Sequence, residues 1–286
     1  MRYQIVKQRS VEQSVRRLCQ VLGVSVSGYY AWRSRSESQR QREDRRLLER
    51  IEAVYAASRK RYGSPRVHRE LLRQGEPVGR KRVARLMRER LLVGRKRRGV
   101  RRYESMPCAE TLTGNELNRR FQVESPNTIW LGDITYLRTL EGWLYLAAVL
   151  DLCSRRVVGW SMSSEPNAAL TASALRMAVQ QRRPPAGLLH HSDRGCQYTA
   201  SSYQEMLAQY GLKMSLSRKG NCWDNAPMES FFSSLKEELG DTFTSRDQAR
   251  KAIFEYIEVF YNRTRIHSSL GYLSPDEYEL QLEQAA

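Results

Sequence analysis

Three acidic residues, Asp133, Asp193 and Glu229, occupy positions that suggest a functional site. Asp133 interrupts an apolar run between Leu131 and Ile134, although strand interiors disfavour aspartate. Asp193 ends a second apolar run, and Glu229 lies near the start of a helical segment. Three converging carboxylates without histidine or cysteine are typical ligands of a hard cation, Mg²⁺ or Mn²⁺. Such a set predicts phosphoryl transfer with two metal ions, one activating the attacking oxygen and one stabilising the leaving oxygen.

The hydrophobic pattern around these acids predicts an α/β fold. The runs 129–137, 143–152 and 155–162 are rich in β-forming residues and joined by tight turns, which predicts a three-stranded antiparallel meander. Two more strands, at 187–193 and 213–217, follow in alternation with helices. This order is typical of a mixed sheet, antiparallel meander plus parallel strands, with helices on both faces. The helices are predicted over 168–181, 201–210, 247–262 and a segment that includes Glu229.

Such a sheet can bring the three acids together. If the strands of Asp133 and Asp193 are neighbours, their carboxylates converge at the strand ends where ligands gather in α/β sheets. The helix that carries Glu229 can then return over the sheet and complete the set. Asp151, at the end of the second strand, is a rival acid, for which we expect a structural role near the turn at Ser154.

Charge divides the chain into two parts. Residues 1–110 hold 30 Lys and Arg against 11 Asp and Glu, whereas residues 111–286 hold 18 against 20. Solvated helix faces explain a high number of charged residues but not so large an excess of positive over negative charge. The first part therefore predicts a nucleic-acid partner. An anionic membrane surface is the weaker alternative, because no aromatic-rich basic amphipathic helix stands out.

Length and composition exclude several other classes of protein. The 286 residues allow about two domains of ordinary size. The longest strongly apolar run, residues 143–150, is too short to cross a bilayer, and the first ten residues contain no secretory h-region. Five widely spaced cysteines without a CxxC pair argue against a disulfide scaffold and a zinc finger. We expect a reduced, cytoplasmic protein with no membrane partner.

The basic part contains two candidate helix-turn-helix units. In residues 11–33, apolar residues recur at helical spacing from Val11 onward, Gly23 breaks the helix, and Ser25 or Ser27 can cap a second one. The residues of this second helix predicted to contact DNA are Tyr30 and Arg33. A connecting helix is then predicted from one apolar stripe, which consists of Leu47, Leu48, Ile51 and Val54.

The second unit lies in residues 61–103. Gly63 ends the preceding segment, Ser64 can cap a helix, and Pro65 suits its first turn. A strongly basic helix follows a turn at Gly75–Gly79. The predicted DNA contacts are Arg80, Lys81, Arg82 and Arg85 on this helix, and Arg95, Lys96, Arg97 and Arg98 in a tail that tracks phosphates.

Taken together, the motifs resemble one family. WLGDITYL, HSDRGCQY and GNCWDNAPMESFFSSLKEEL resemble the integrase core of DDE transposases, and thirty-five residues separate Asp193 from Glu229, as in that family and in retroviral integrases. The ending YNRTRIHSSLGYLSPDEYE and the segment RYGSPRVHREL resemble the OrfB-like product of bacterial insertion sequences of the IS-three type. The resemblance covers about residues 50–280. It implies an RNase H-like fold over 125–275, with Asp133, Asp193 and Glu229 as catalytic ligands of two Mg²⁺ or Mn²⁺ ions.

The activity that this resemblance implies is that of a DNA transposase. Metal-dependent cleavage would expose a 3′-hydroxyl at the end of the element, and strand transfer of that hydroxyl would follow. The implied partners are double-stranded DNA at the transposon ends and the target, further copies of this chain in a multimer, and an upstream-frame (OrfA-like) product, all in the bacterial cytoplasm at the nucleoid. Lys236 lies almost two helical turns after Glu229 and is implied to hold a DNA phosphate, with Ser233 as a further DNA contact on the same face.

Several points stay open on the sequence. The chain could instead be a DNA-binding regulator without catalysis, or an RNase H-like nuclease that cuts without joining. His190 or His191 could line the site, and we expect the Gly- and Asn-rich loop before Glu229 to be mobile without DNA. The expected divisions of the chain are residues 1–60, 61–103, a linker over 104–124, the core over 125–275 and a C-terminal tail over 276–286.

Overall fold

The computed structural model describes residues 2–95, 114–218, 222–240 and 242–285. The predicted DNA contacts Lys96, Arg97 and Arg98 lie outside the described residues, as does the first half of the predicted linker. Where the chain is described, no helix combines the length and apolarity needed to span a membrane.

Three short helices form the N-terminal unit: α1 (Arg2–Arg9), α2 (Val15–Val21) and α3 (Val26–Ser34). The expected turn between two helices is present, with Ser25 capping α3 by accepting from the backbone N–H of Gly28 at 3.0 Å. The sequence did not predict α1, whose Val6 packs with Tyr29 in a small separate core. The prediction for Val11 was wrong: it precedes α2 and is 91% exposed.

The second unit consists of α4 (Gln39–Ala57), α5 (Ser64–Arg73) and α6 (Arg80–Glu89). The predicted stripe of α4 is buried at Leu47, Ile51 and Val54, with Leu48 partly buried beside them. It packs against buried side chains of α5 and α6, namely Val67, Leu71, Val83, Leu86 and Met87. The expected capping role of Ser64 is not observed, because Gly63 is the N-cap and Ser64 already lies inside α5.

A six-stranded mixed sheet forms the centre of the second part of the chain. Its strands are β1 (Ile129–Thr139), β2 (Gly142–Asp151), β3 (Val157–Ser163), β4 (Leu189–Ser192), β5 (Lys213–Leu216) and the short β6 (Thr242–Phe243). The order is β3-β2-β1-β4-β5, with β6 paired to the far end of β1. The predicted antiparallel meander is confirmed in β1–β3, and β4 and β5 run parallel to β1.

Helices cover both faces of this sheet, as predicted. One face packs on α7 (Ala168–Arg182), α8 (Cys196–Thr199) and α9 (Ser201–Gln209). The other face packs on α10 (Ala226–Leu239) and α11 (Arg246–Phe254), which continues as a π-helical segment, Glu255–Tyr261. The chain ends in α12 (Pro275–Ala285).

Two segments expected to be a linker and a tail are packed against the core. Leu117 is fully buried, and the backbone N–H groups of Glu116 and Leu117 donate to Ser215 Oγ at 3.0 and 3.4 Å. The tail forms α12, whose buried Glu279 accepts from Arg182 at 2.8 Å. Both segments are held by partners distant in sequence, which local composition does not reveal.

The second helical unit is continuous with the core. Tyr62 donates its hydroxyl proton to the carbonyl of Thr264 at 3.1 Å and accepts from the N–H of Ile266 at 2.9 Å. Close by, buried Arg265 donates to Glu238 near the end of α10 at 2.9 Å. Since a buried ion pair with both partners hydrogen-bonded holds its elements in one geometry, this end of α10 is fixed against the core.

Asp151 has the structural role that the sequence predicted. Its side chain is fully buried and accepts hydrogen bonds from the N–H of Asn127 at 2.6 Å, the N–H of Cys153 at 2.9 Å and Trp130 Nε1 at 3.2 Å. The carboxylate therefore closes the β2–β3 turn and does not face an open site.

Candidate active site

The two aspartates of the predicted site follow directly after the last paired residues of neighbouring strands. β1 and β4 run parallel, and their pairing ends at Gly132 and Ser192. Asp133, still within β1, and Asp193, directly after β4, are the next residues along the chain, so the two are neighbours where this pairing ends. The condition on which the predicted site depends, that these two strands are neighbours, is therefore met.

Helix α10 runs along the free edge of β1 beyond this point. Near its start, Asn225 Nδ2 donates to the carbonyl of Gly132 at 3.2 Å. Near its end, Lys236 Nζ lies 4.7 Å from the ring centroid of Tyr136. Between β4 and β6, residues 133–137 of β1 pair only with β2.

The two aspartates are electrostatically coupled. Burial, with a further contribution from the charges of Asp193 and Glu229, raises the pKa of Asp133 well above its usual value. A hydrogen bond of 2.8 Å from the N–H of Ile134 and the charge of Lys236 oppose this shift. Burial also raises the pKa of Asp193, although the N–H of Gly195 donates to its Oδ1 at 2.9 Å. The pair thus repels itself when both carboxylates are ionised.

Glu229 lies on the open side of this pair. It is in the first turn of α10, exposed to solvent, and its charge acts on Asp133. Within the described residues, no three His, Cys, Asp or Glu side chains are grouped closely enough to enclose a metal ion. The two neighbouring aspartates still fit a hard divalent cation, because both supply carboxylate oxygens and a cation would relieve their repulsion.

The other residues predicted on α10 behave differently from each other. Lys236 lies on the side of the helix that faces β1, as its charge on Asp133 and its position over Tyr136 show. Ser233 is buried, with 7% of its surface exposed, and therefore offers DNA little contact area.

The two histidines before Asp193 are packing residues. Burial lowers the pKa of His190 to about 3 and that of His191 to about 4, so both rings are neutral near pH 7. His190 Nε2 pairs with the Tyr203 hydroxyl at 3.2 Å, and His191 bridges Ser215 and Ser217. His190 also lies against Gly132, where a Cβ atom would approach its ring to 3.0 Å. The histidines pack beside Asp193 and are uncharged at neutral pH.

The sequence did not identify Asp224, which holds the start of α10. Its carboxylate is fully buried and accepts from Arg218 Nη2 at 2.8 Å, Asn115 Nδ2 at 2.7 Å and Arg119 Nε at 3.0 Å. Arg218, above all by its hydrogen bond, holds the pKa of this carboxyl far below its usual range. The expected mobility of this loop is therefore wrong at Asp224 and Asn225, although the run DNAP before a helix was a visible capping signal.

The predicted DNA contacts of the helical part fall into two groups. Arg80, Lys81, Tyr30 and Arg33 are exposed. Arg82 and Arg85 instead donate to Asp44 of α4 at 2.7 and 2.6 Å. Arg95 donates to the carbonyl of Glu237 on α10 at 3.2 Å. The last three arginines are thus engaged within the protein, because α4 and α10 bring acceptors that the local sequence does not show.

Family models match most of the chain. Two models described as "Integrase core domain" match residues 123–222 and 229–282, and a model described as "HTH-like domain" matches residues 41–99. Among solved structures, a simian T-cell lymphotropic virus intasome has a chain with a TM-score of 0.47 and 16% identity, covering 62% of this chain and 61% of that one. The HTLV-2 integrase catalytic core domain in complex with magnesium has a TM-score of 0.41 and 19% identity, covering 54% of this chain and 97% of that one.

Relatives of the whole chain are also found. "Insertion element IS600 uncharacterized 31 kDa protein" of Shigella sonnei is 45% identical over 271 residues, covering 94% of this chain and 100% of that protein. "Transposase InsF for insertion sequence IS3A" of Escherichia coli (strain K12) is 43% identical over 287 residues, covering 98% of each chain. The match extends across the helical units, the paired strand ends and α10. The chain therefore belongs to the family of IS3-type insertion-sequence transposases with an integrase core.

Proposed function

We propose that this chain is a DNA transposase that nicks a DNA strand at the end of its element and transfers the exposed 3′-hydroxyl to another strand. The observation that carries the proposal is the pair of neighbouring carboxylates, Asp133 within β1 and Asp193 directly after β4. Burial raises the pKa of both Asp133 and Asp193, and the charge of Asp193 raises that of Asp133 further, as expected of ligands that await a cation. Membership of the transposase family supports the same reading.

We assign the metal to Asp133, Asp193 and Glu229. These residues would hold Mg²⁺ or Mn²⁺, and two ions per site are part of the proposal. When bound, such ions activate the attacking oxygen and stabilise the charge of the leaving oxygen. The protein's own task is positioning: the aspartates are fixed by the strand ends, and Glu229 is presented from the first turn of α10. Lys236, on the same side of α10, would hold a phosphate of the element end.

The basic helical part would bind the DNA of the element ends. The support is the charge excess of residues 1–110 and the exposure of Arg80, Lys81, Tyr30 and Arg33. Since two ends must be brought together, the active form would contain several copies of this chain. An upstream-frame product is a further proposed partner.

An assay with labelled DNA that carries both element ends tests this function. The full-length protein is incubated with the DNA and Mn²⁺, and the products are separated by size under denaturing conditions. We expect strands that are joined as well as strands that are cut. Cut strands that never join would mean a nuclease, and bound DNA that stays uncut would mean a regulator; either result would refute the proposal.

A further inference from the structure

The start of α10 is tied to β1 by a single side chain next to the proposed metal site. We propose that Asn225 is a positioning residue that sets the place of Glu229 relative to Asp133. The inference rests on the proposed function, since it concerns how the carboxylate set is completed. Its direct observation is the hydrogen bond of 3.2 Å from Asn225 Nδ2 to the carbonyl of Gly132, the residue before Asp133.

Asn225 occupies a position where asparagine usually has another task. It is the N-cap residue of α10, and asparagine is favoured there because its side chain accepts from the first free N–H groups of the helix. The Asn225 side chain makes no such bond. It is 5% exposed and is directed instead to a strand carbonyl. The residue has therefore exchanged a local helix cap for a tertiary contact with β1.

The geometry of a helix links this contact to Glu229. Residues four apart lie on the same side of a helix, one turn from each other. Asn225 and Glu229 are four apart, so fixing Asn225 against Gly132 sets both the height and the rotation at which Glu229 faces β1. The charge of Glu229 acts on Asp133, the residue that follows Gly132. Glu229 is itself exposed, so we infer that its position is set by the hydrogen bond of Asn225, one helical turn earlier in the chain.

Asp224 holds the turn at which the chain enters α10. Its buried carboxylate is bonded to Arg218, which follows β5, and to Asn115 and Arg119 before the sheet. These bonds anchor the chain where it enters α10, but none of them reaches β1. Asn225 therefore supplies a hydrogen bond from the start of α10 to the strand of Asp133, in addition to the packing of α10 on the sheet and the contact of Lys236 with Tyr136, whereas Asp224 holds the turn that leads into α10.

Asn262 offers a matched control. It is also a buried asparagine that joins a helix end to a strand, with its Nδ2 donating to the carbonyl of Val157 and its Oδ1 accepting from the N–H of Val157, both at 3.0 Å. Val157 lies on β3, two strands away from β1. Replacing Asn262 removes a similar buried contact without touching α10.

The test is Mn²⁺ binding to the DNA-free protein, measured by calorimetry. The variants are Asn225→Ser, Asn225→Ala, Asn262→Ala and Asp133→Asn. Serine keeps a good helix cap but is too short to reach Gly132, so Asn225→Ser separates positioning from folding of α10. We expect about tenfold weaker Mn²⁺ binding in both Asn225 variants, the size typical of groups that orient metal ligands. Asn262→Ala should lose thermal stability and keep the Mn²⁺ affinity of wild type.

Each outcome decides a different point. If Asn225→Ser binds Mn²⁺ as wild type does, or if Asn262→Ala weakens binding equally, the positioning role is overturned. If Asp133→Asn leaves the binding of wild type intact, the proposed metal site is wrong, and the inference is refuted with it. Loss of binding in Asp133→Asn together with selective weakening in the Asn225 variants supports both. Asn225→Ser provides the answer even if Asn225→Ala does not fold.

Discussion

The ammonium group of Lys236 lies 4.7 Å from the ring centroid of Tyr136, three residues after Asp133 on β1. The lysine on α10 is thus held over a strand residue at the margin of the carboxylate pair, and its charge opposes the raised pKa of Asp133. A cation over an aromatic face at such a site contributes about 0.5–1 kcal/mol. In the proposed function, this positive charge would meet a phosphate of the DNA strand that enters the site.

Lys236 and Glu229 should fail in different ways. Glu229→Gln should stop chemistry on every substrate, including a DNA end that is already nicked, since an amide cannot supply the charge of a metal ligand. Lys236→Ala should weaken DNA binding by about 1 kcal/mol, and higher DNA concentration should restore joining. The measurement is joining as a function of DNA concentration, with Lys251→Ala as the control for an exposed lysine on α11.

Two results would count against this division of roles. Lys236→Ala that is as inactive as Glu229→Gln at saturating DNA would place the lysine in the chemical step. If Lys236→Ala joins DNA as well as Lys251→Ala does at limiting DNA, Lys236 has no role in DNA binding.

Asp193→Asn should make the metal-free protein more stable while abolishing joining. A raised carboxyl pKa in the folded state means that the ionised form costs stability above that pKa. Asparagine keeps the acceptor for the N–H of Gly195 and removes the repulsion of Asp133. We expect the melting temperature in EDTA at neutral pH to rise by about 2–4 °C, the change that ~1 kcal/mol produces at this size.

The increase in melting temperature of Asp193→Asn should become smaller as the pH falls and Asp133 and Asp193 become protonated in wild type, because protonation relieves the same repulsion. Added Mn²⁺ should raise the melting temperature of wild type and not that of Asp193→Asn. An unchanged or lower melting temperature in EDTA would contradict the electrostatic account of the pair. More than about one per cent of wild-type joining would remove Asp193 from the catalytic set.

Asp224→Asn should destabilise the protein at neutral pH. The pKa of Asp224 is depressed in the folded state, so the stability it contributes is present above the unfolded-state pKa and is lost as the pH falls. Removing the charge from its bonds with Arg218 and Arg119 should cost about 1–3 kcal/mol near pH 7. Urea unfolding at neutral pH and below pH ~4 measures this, and the difference from wild type should narrow in acid.

The matched control for Asp224 is Asp247→Asn. Asp247 is exposed and pairs with Lys251 one helical turn away, so its replacement should change the free energy of unfolding by less than about 0.5 kcal/mol. Equal effects of the two substitutions would contradict the role assigned to the buried carboxylate.

The basic residues of α6 should differ according to their partners. Arg80 and Lys81 are exposed, whereas Arg82 donates to Asp44 at 2.7 Å. Each phosphate contact contributes about −0.9 to the slope of log K against log salt concentration. Arg80→Ala and Lys81→Ala should therefore each make the slope less steep by about 0.9, while Arg82→Ala should lower stability and keep the slope. A slope that changes only in Arg82→Ala would mean that DNA binding breaks the pair with Asp44.

The fold was predictable where the pattern is local. Alternating apolar residues and short turns predict the β1–β3 meander, and the spacing from Leu47 to Val54 predicts the buried side of α4. In each case the residues that decide the structure lie within one element or its neighbour.

The remaining features depend on contacts between distant segments. Asp224 is held by Asn115 and Arg119, more than a hundred positions earlier, so nothing near it in sequence indicates that it is buried. The same reason explains why Arg82 and Arg85 could not be separated from Arg80 by sequence: Asp44 reaches them from another helix. Local charge therefore marks a basic surface but does not say which of its residues are free to meet DNA.

The most direct test of the account is strand transfer from an element end that is already nicked. Wild type, Asp133→Asn and Asp247→Asn are compared at saturating DNA in Mn²⁺, with DNA binding measured in parallel. The account predicts joined product with wild type and Asp247→Asn, and none with Asp133→Asn, although all three bind the DNA equally. Joining by Asp133→Asn at the rate of wild type would show that the paired carboxylates of Asp133 and Asp193 are not the site of the chemistry.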